Sequence, residues 1–360
     1  DLIRSRGLGD VYKRQMRSYS RNNIAPKDTY NRPISDLRVS LLDQCNFRCT
    51  YCMPERKFHS EYQFLKKQQR LSHEEIFRIV KIAVELGVTK VRLTGGEPLL
   101  DKNISKLINL ISQVNGVEDL ALTTNGVLLK KHANEMMKAG LDRITVSLDS
   151  IDEAIFNKMN GNKASVRDVL DGIEAAEKAG FDKIKINTVI QRGVNDDYII
   201  SLLDHFRGTG HIVRLIEFMD VGNQNDWKLN NVVTAKEMLE IIEKCWEVIP
   251  LEKTYVGEVA KRYSYKDGKG EIGFITSISE PFCSNCGRVR LSADGMLYTC
   301  LFATVGTDLR KLLRSDASDH EIKNVIARRW LERTDRYSET RNNHTSHITE
   351  KKIEMYRMGG

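Results

Sequence analysis

The chain has 360 residues, 41% hydrophobic and 29% charged, with 56 Lys and Arg against 49 Asp and Glu for a formal net charge of +7. This composition is that of a globular protein of one large domain, or one plus a smaller one; no apolar run reaches the ~18–20 residues a membrane span needs, and no secretory signal is expected. Seven cysteines, odd in number and clustered, argue against a disulfide frame and for metal in a reducing, cytoplasmic compartment, while the positive balance suits an anionic small substrate or weak nucleic-acid contact and is silent on fold.

Taken in chain order, residues 1–15 read as foreign to the fold: the string resembles a translated sequencing-adaptor scar and is followed at once by Met16. Residues 16–30 form a flexible lead-in. Asn31-Arg32-Pro33 is a turn signal, and Leu37 to Leu42 reads as a buried strand. Ser72 with Glu75 is a capping box that opens a helix closed by Gly87. Lys90–Thr94 is a second strand running into Gly95-Gly96-Glu97-Pro98. A helix from Asp101, a strand at Leu120–Thr123, a helix to Ala139 and a strand at Arg143–Leu148 follow. Helices over 152–159 and 165–179, a strand at Lys183–Ile190, a helix over 196–206 and a strand at Ile212–Phe218 complete six alternations. Such a series implies parallel βαβ units, curled into a full or partial barrel or laid out as a doubly wound sheet. Reactive groups then belong at the strand C-termini, where the first cysteine loop, the GGEP turn, Thr123, Ser147, Lys185 and Met219 are expected. Beyond Asp220 the rhythm breaks into a helix over 234–245, strand-like pieces near 255–265, 272–277, 288–292 and 297–300, helices near 308–313 and 319–331, and a polar tail.

The chemistry starts at Cys45-x3-Cys49-x2-Cys52, just after the first strand. Three thiolates so spaced can hold a soft-metal centre, and iron–sulfur clusters are the usual match. A four-iron cubane would keep one iron open. A zinc knot is the ordinary alternative, but structural zinc wants four closed ligands. A second triplet, Cys283-x2-Cys286-x13-Cys300, repeats the pattern, although a lone CxxC is shared by redox pairs and zinc knuckles. Cys245 lies in a helical pattern and reads as a buried structural thiol. Arg38, Lys90, Arg92, Lys185 and Arg214 stand on or beside separate strands, where cations need an anionic partner. No phosphate loop of the G-x-x-x-x-G-K-[ST] kind occurs. Arg328, Arg329, Arg333 and Arg336 read as a solvated helix face because acids are interspersed, and His344-x2-His347 as an exposed tail.

CNFRCTYCMP followed by RLTGGEPLL, on alternating strands and helices, resembles the radical S-adenosylmethionine superfamily. With LTTNG, VSLDS, RLIEFMDVG, FCSNCGRVRLSADGMLYTCLFA and a terminal Gly359-Gly360, the chain from about residue 31 to its end resembles the GTP 3′,8-cyclases of molybdenum cofactor biosynthesis. Gln44 stands where many members have arginine. The resemblance implies a partial (β/α)6 TIM-like barrel over 31–225, an α+β extension over 226–345 carrying a second iron–sulfur cluster, and a tail over 346–360. It implies two 4Fe–4S clusters, the first on Cys45, Cys49 and Cys52 with S-adenosylmethionine, the second on Cys283, Cys286 and Cys300. Tyr51, Gly96, Ser147 and Met219 match the S-adenosylmethionine contacts. Arg38, Lys90, Arg92, Thr123, Lys185, Arg214, Arg288 and Arg290 match positions around GTP, and Arg288, Arg290, Gly359 and Gly360 are expected to serve catalysis. It further implies an external electron donor of flavodoxin or ferredoxin type and cyclic pyranopterin monophosphate synthase as the next enzyme. No nucleic-acid or membrane partner is expected, and a homodimer is left open. The rival readings are another two-cluster radical enzyme, such as a peptide-modifying one, and a non-catalytic metal-binding regulatory protein.

Overall fold

The computed structural model describes residues 25–255, 257–344 and 352–359. Residues 1–15, the first part of 16–30, His347 and Gly360 lie outside the described residues. Six parallel strands lie side by side in chain order: β1 (Asp36–Ser40), β2 (Lys90–Thr94), β3 (Asp119–Thr124), β4 (Arg143–Ser147), β5 (Lys185–Ile190) and β6 (Ile212–Glu217). An order that never reverses decides between the two architectures left open by the sequence. Right-handed crossovers then stay on one face and the sheet curls around the other, whereas a doubly wound sheet must reverse at a switch point.

The crossover helices are α1 (His73–Glu85), α2 (Ile104–Ser112), α3 (Leu129–Lys138), α4 (Glu153–Asn160), α5 (Val166–Lys178) and α6 (Ile199–Phe206). Helix α1 starts where Ser72 caps Glu75 N and the Glu75 carboxylate caps Ser72 N, the reciprocal pair expected from the sequence. Its Ile76, Ile79, Val80, Ile82 and Ala83 form one stripe buried against the sheet. Leu37, Val39, Val91, Leu93, Leu120, Leu122, Ile144, Val146 and Ile186 complete that layer from the strand side.

The second half of the chain extends both edges of the sheet. β7 (Val248–Leu251), β8 (Lys261–Tyr265) and β9 (Glu271–Ile275) form a meander that joins β6 through the parallel β9. β10 (Arg288–Leu291) pairs parallel with β1, and β11 (Met296–Tyr298) and β12 (Thr307–Asp308) follow it antiparallel. The twelve-stranded order is β12-β11-β10-β1-β2-β3-β4-β5-β6-β9-β8-β7. Helices α7 (Ala235–Glu243), α8 (Arg310–Leu313), α9 (Asp319–Leu331), α10 (Tyr337–His344) and α11 (Met355–Met358) complete the described chain. Among the described residues no helix is long and apolar enough to cross a membrane.

Three expectations are corrected. A strand at Val248–Leu251 was not expected, and residues 255 and 257–260 are not strand. Cys245 is exposed rather than buried, because it falls beyond the end of α7 on the solvent side. The tail is not merely polar: α11 buries Tyr356 and Met358.

Candidate functional site

Strand alternation sends every second side chain into the hollow of the curled sheet. With Leu37, Val39, Val91 and Leu93 committed to the helix layer, Arg38, Lys90 and Arg92 face inward. Cross-strand register then sets Arg290, Arg38 and Arg92 in one row across β10, β1 and β2, and Arg288, Asp36, Lys90 and Asp119 in the next. Arg143, Lys185 and Arg214 add to the same face from β4, β5 and β6. Among the described residues two carboxylates, Asp36 and Asp119, share these rows with the eight cations, and Asp119 is engaged by both prongs of Arg143.

The rest of the cationic lining is short of partners. Arg92 Nη1 reaches Thr123 Oγ1 (3.0 Å) and Thr145 Oγ1 (3.3 Å), and Arg214 Nη2 reaches Thr145 Oγ1 (3.4 Å). The Nε atoms of Arg38, Arg92 and Arg214 and Oδ1 of Asn187 are buried with no hydrogen-bond partner among the described residues. Burial, aggravated by neighbouring cations, depresses Arg38 to about 9, Arg92 and Arg214 to about 10 and Lys185 to about 8. The same causes hold Arg290 well below its ordinary value. Buried cations without counter-charges are unfavourable, so this hollow is built for a polyanion.

The cations are not all where the sequence puts them. Lys185 is the first residue of β5, so it lies at the N-terminal mouth and not at the strand C-termini. Lys90 and Arg288 open β2 and β10 in the same way, while Thr123 and Ser147 stand at or next to the C-terminal ends of β3 and β4. The reason is the strand boundary: β5 begins at Lys185, two residues after the expected start at Lys183. Tyr255, on the loop after β7, lays its ring 3.3 Å from Lys90 Nζ at that end.

At the C-terminal mouth, the loop after β1 carries Cys45, Cys49 and Cys52. It is braced by the GGEP turn: Gly96 N donates to Leu42 O (2.7 Å) and Glu97 N to Gln44 O (2.8 Å). A Cβ on Gly96 would fall 2.0 Å from Gln44 O, so the glycine is required by the cysteine loop itself. Glu97 accepts from Thr124 Oγ1 (2.7 Å), Asn125 N (2.7 Å) and Leu99 N (3.0 Å), tying β2 to β3, and burial lifts its carboxyl to about 7. Tyr51 donates its hydroxyl to the buried Asp149 (2.8 Å), whose other oxygen accepts from Val189 N (2.9 Å). Met219 lies just beyond β6, its carbonyl held by Asn225 (2.9 Å).

Both cysteine triplets suit clusters better than single ions. Among the described residues no three His, Cys, Asp or Glu converge tightly enough for one metal ion, whereas a four-iron cluster takes its thiolates at separate corners. Burial pushes Cys45 and Cys300 up to about 12. Burial, Asp149 and the two companion thiols raise Cys49 well above the ordinary range. Burial opposes the Cys286 thiolate too, but Arg288 and Arg333 outweigh it and bring that thiol to about 6. Sulfur-directed donors surround both sets: Phe47 N and Asn125 Nδ2 to Cys45, Phe302 N to Cys300, Arg288 Nε to Cys286. Such N–H···S contacts are the usual surroundings of cluster sulfurs. The remaining cysteine, Cys245, is in neither triplet, so each set offers three thiolates and leaves one iron position open.

The tail joins the two triplets. Tyr356 packs with Met53 and Phe58 beside Cys45 and Cys52, and Met358 packs with Tyr298 and Ala303 beside Cys300. Between them Arg290 Nη1 donates to the carbonyls of Met358 (3.2 Å) and Gly359. Sequence reasoning missed Arg143, Asn187, Tyr255 and Asp149. Alternation from Lys185 on β5 points to Asn187; nothing local marks the others.

A curled parallel sheet with a three-cysteine loop at its C-terminal mouth defines the radical S-adenosylmethionine class. Residues 39–206 match the Radical SAM superfamily, and residues 211–339 match Molybdenum Cofactor Synthesis C. The chain is 48% identical over 334 residues to a GTP 3′,8-cyclase of Xanthomonas campestris pv. campestris, covering 93% of this chain and 97% of that protein. It is also 48% identical over 336 residues to the GTP 3′,8-cyclase of Staphylococcus epidermidis, covering 93% and 98%. It belongs to the GTP 3′,8-cyclase family. A crystal structure of Streptococcus suis SuiB bound to S-adenosylmethionine is similar in fold, with a TM-score of 0.52 at 14% identity over 82% of this chain and 67% of that one.

Proposed function

We propose that this chain carries out the reaction of its family, converting GTP to (8S)-3′,8-cyclo-7,8-dihydroguanosine 5′-triphosphate in the first step of molybdenum cofactor biosynthesis. The observation that carries the reading is the layout of the hollow: the first cysteine triplet at the C-terminal mouth, Cys283 and Cys286 on the segment that enters β10 at the other mouth, and partner-poor cations lining the space between. Cys45, Cys49 and Cys52 would hold one 4Fe–4S cluster and Cys283, Cys286 and Cys300 the other. When bound, the first cluster and S-adenosylmethionine would supply the 5′-deoxyadenosyl radical for removal of the ribose 3′ hydrogen, and closure of carbon 3′ onto guanine carbon 8 would then take up a second electron, from the same external donor, and a proton to give the 7,8-dihydro product.

The protein's own part is binding, orientation and exclusion of water. Tyr51, Gly96, Ser147 and Met219 line the S-adenosylmethionine side. Arg38, Lys90, Arg92, Lys185 and Arg214, with Thr123, are the triphosphate and ribose side; guanidinium forks match phosphate geometry. Arg290 and Gly359 stand between the two triplets, and Arg288 lies against Cys286. Both electrons come from an external flavodoxin- or ferredoxin-type donor in the cytoplasm, and cyclic pyranopterin monophosphate synthase takes the product. The whole reading is tested by anaerobic reconstitution. Two clusters per chain and GTP-dependent 5′-deoxyadenosine formation are expected; zinc in their place, with no S-adenosylmethionine cleavage, would remove it.

Lys185 gives the site a pH signature. Its ammonium is depressed to about 8 by burial and by Arg214, and a bound phosphate would raise that value again. Above pH 8 binding must therefore take up a proton, so GTP affinity is expected to fall as pH rises, by up to about tenfold per unit. Lys185→Arg, charged throughout, should flatten the profile between about pH 7 and 9. Calorimetric GTP titrations across that range check it, and a flat wild-type profile would exclude Lys185 from the phosphate site.

A further inference from the structure

The second triplet is held by a set of buried charges that the reaction does not use. Asp28 has a fully buried side chain and accepts Arg32 Nε at 2.6 Å, while Arg333 Nη1 lies 3.4 Å from the same oxygen. Arg333 Nε also meets Asp335 Oδ2 at 3.3 Å. Arg32 Nη1 also donates to Asp335 O (3.0 Å), and further donors reach the cysteine loops. Arg32 Nη1 donates to Cys283 O (2.7 Å) and Arg333 Nη1 to Cys286 O (2.6 Å). Asp335 Oδ2 accepts from Thr299 Oγ1 (2.6 Å), the residue before Cys300. Arg333, expected on a solvated helix face, is 3% exposed.

We infer that Asp28, Arg32, Arg333 and Asp335 are the positioning frame of the second triplet, fixing the backbone at Cys283 and Cys286 and holding Cys300 through the side chain of Thr299. An ion-pair core that only joined the chain ends would be complete without the cysteine loops. This one spends a guanidinium donor on each of two cysteine carbonyls and anchors the third cysteine through its neighbour. The four charges come from segments about 300 residues apart, so neither chain end can frame the triplet alone. Two guanidiniums against two carboxylates leave the frame with no net charge. Arginine is needed because its planar fork serves several acceptors at once, and an ammonium does not. Two of the three thiols are thereby held in place before metal arrives, as preorganised ligand sets require.

The inference rests on the second triplet holding the second cluster, and the test separates the two claims. Arg333→Lys keeps the charge and removes the fork. After anaerobic reconstitution it should retain the first cluster and reductive S-adenosylmethionine cleavage, hold about half the wild-type iron, and lose the second cluster's electron paramagnetic signature. In the metal-free chain, amides 283–286 should exchange with deuterium at least tenfold faster than in wild type. Thr299→Val, a gentler change, should show the same selective loss in part, and it decides the matter if Arg333→Lys loses both clusters. Wild-type iron, spectrum and exchange in Arg333→Lys, or in Thr299→Val where that variant decides, would overturn the frame alone. A wild-type protein that takes up only one cluster would instead overturn the reading of the second triplet, and the frame with it.

Discussion

Replacing Gly359 by valine is expected to lower GTP turnover by about 10²-fold or more while both clusters stay in place. Gly359 has φ of 67°, a conformation that costs an ordinary L-residue roughly 1–2 kcal/mol and a β-branched one more. A Cβ there would sit 2.1 Å from Thr94 Cγ2, at the end of the strand that feeds the GGEP turn. The valine therefore cannot be seated, and the carbonyls of Met358 and Gly359 would leave Arg290. Arg290 is 3% exposed, and a buried guanidinium stripped of its acceptors turns to other partners. Displacing such a group by about 1 Å is enough for a 10²-fold loss. Tyr356 and Met358 keep their packing beside the two triplets, so iron content should not change. Gly359→Ala, with the same φ but less bulk, should fall between. Turnover of Gly359→Val near the wild-type rate, with full iron, would take Gly359 and Arg290 out of the catalytic assembly.

What the sequence disclosed was mostly local. The capping box at Ser72 is written in four consecutive residues and forms as read, and Ser165, Thr234 and Ser318 form the same motif. The six-strand rhythm is local too, and so are both cysteine triplets. What escaped depends on contacts across the chain. β10 completes the sheet beside β1 although about 250 residues separate them, and no periodicity announces that pairing. The strand Val248–Leu251 carries Pro250, which argues against a central strand but is tolerated in β7 because β7 is the sheet edge. Arg333 looked solvated because the acids near it in sequence are on its own helix and the turn after it. Asp28, which buries it, is 305 positions away. The cationic hollow was legible as a set of arginines on strands, but its layout was not. Whether Lys185 opens a strand or lies within it turned on a boundary two residues off, and that decides which mouth it serves.

Two single-atom substitutions, Cys49→Ser and Cys286→Ser, are expected to separate radical generation from its use. In each triplet a serine oxygen replaces a soft ligand by a hard one, which iron–sulfur clusters hold poorly. Cys49 lies among Cys45, Cys52 and Asp149, at the mouth lined by Tyr51 and Ser147. Its loss should remove the first cluster and abolish S-adenosylmethionine cleavage, with or without GTP. Cys286 lies with Cys300, Arg288 and Arg333. Its loss should spare the first cluster and slow reductive cleavage of S-adenosylmethionine, yet end cyclisation and the stimulation of cleavage by GTP. The asymmetry follows from position: one triplet sits on the loop leaving β1, the other on the segment entering β10, and the tail with Tyr356 and Met358 reaches both. Iron analysis, 5′-deoxyadenosine release and product formation, measured on both variants, distinguish the outcomes. Cleavage surviving in Cys49→Ser, or cyclisation surviving in Cys286→Ser, would break the division of labour between the triplets.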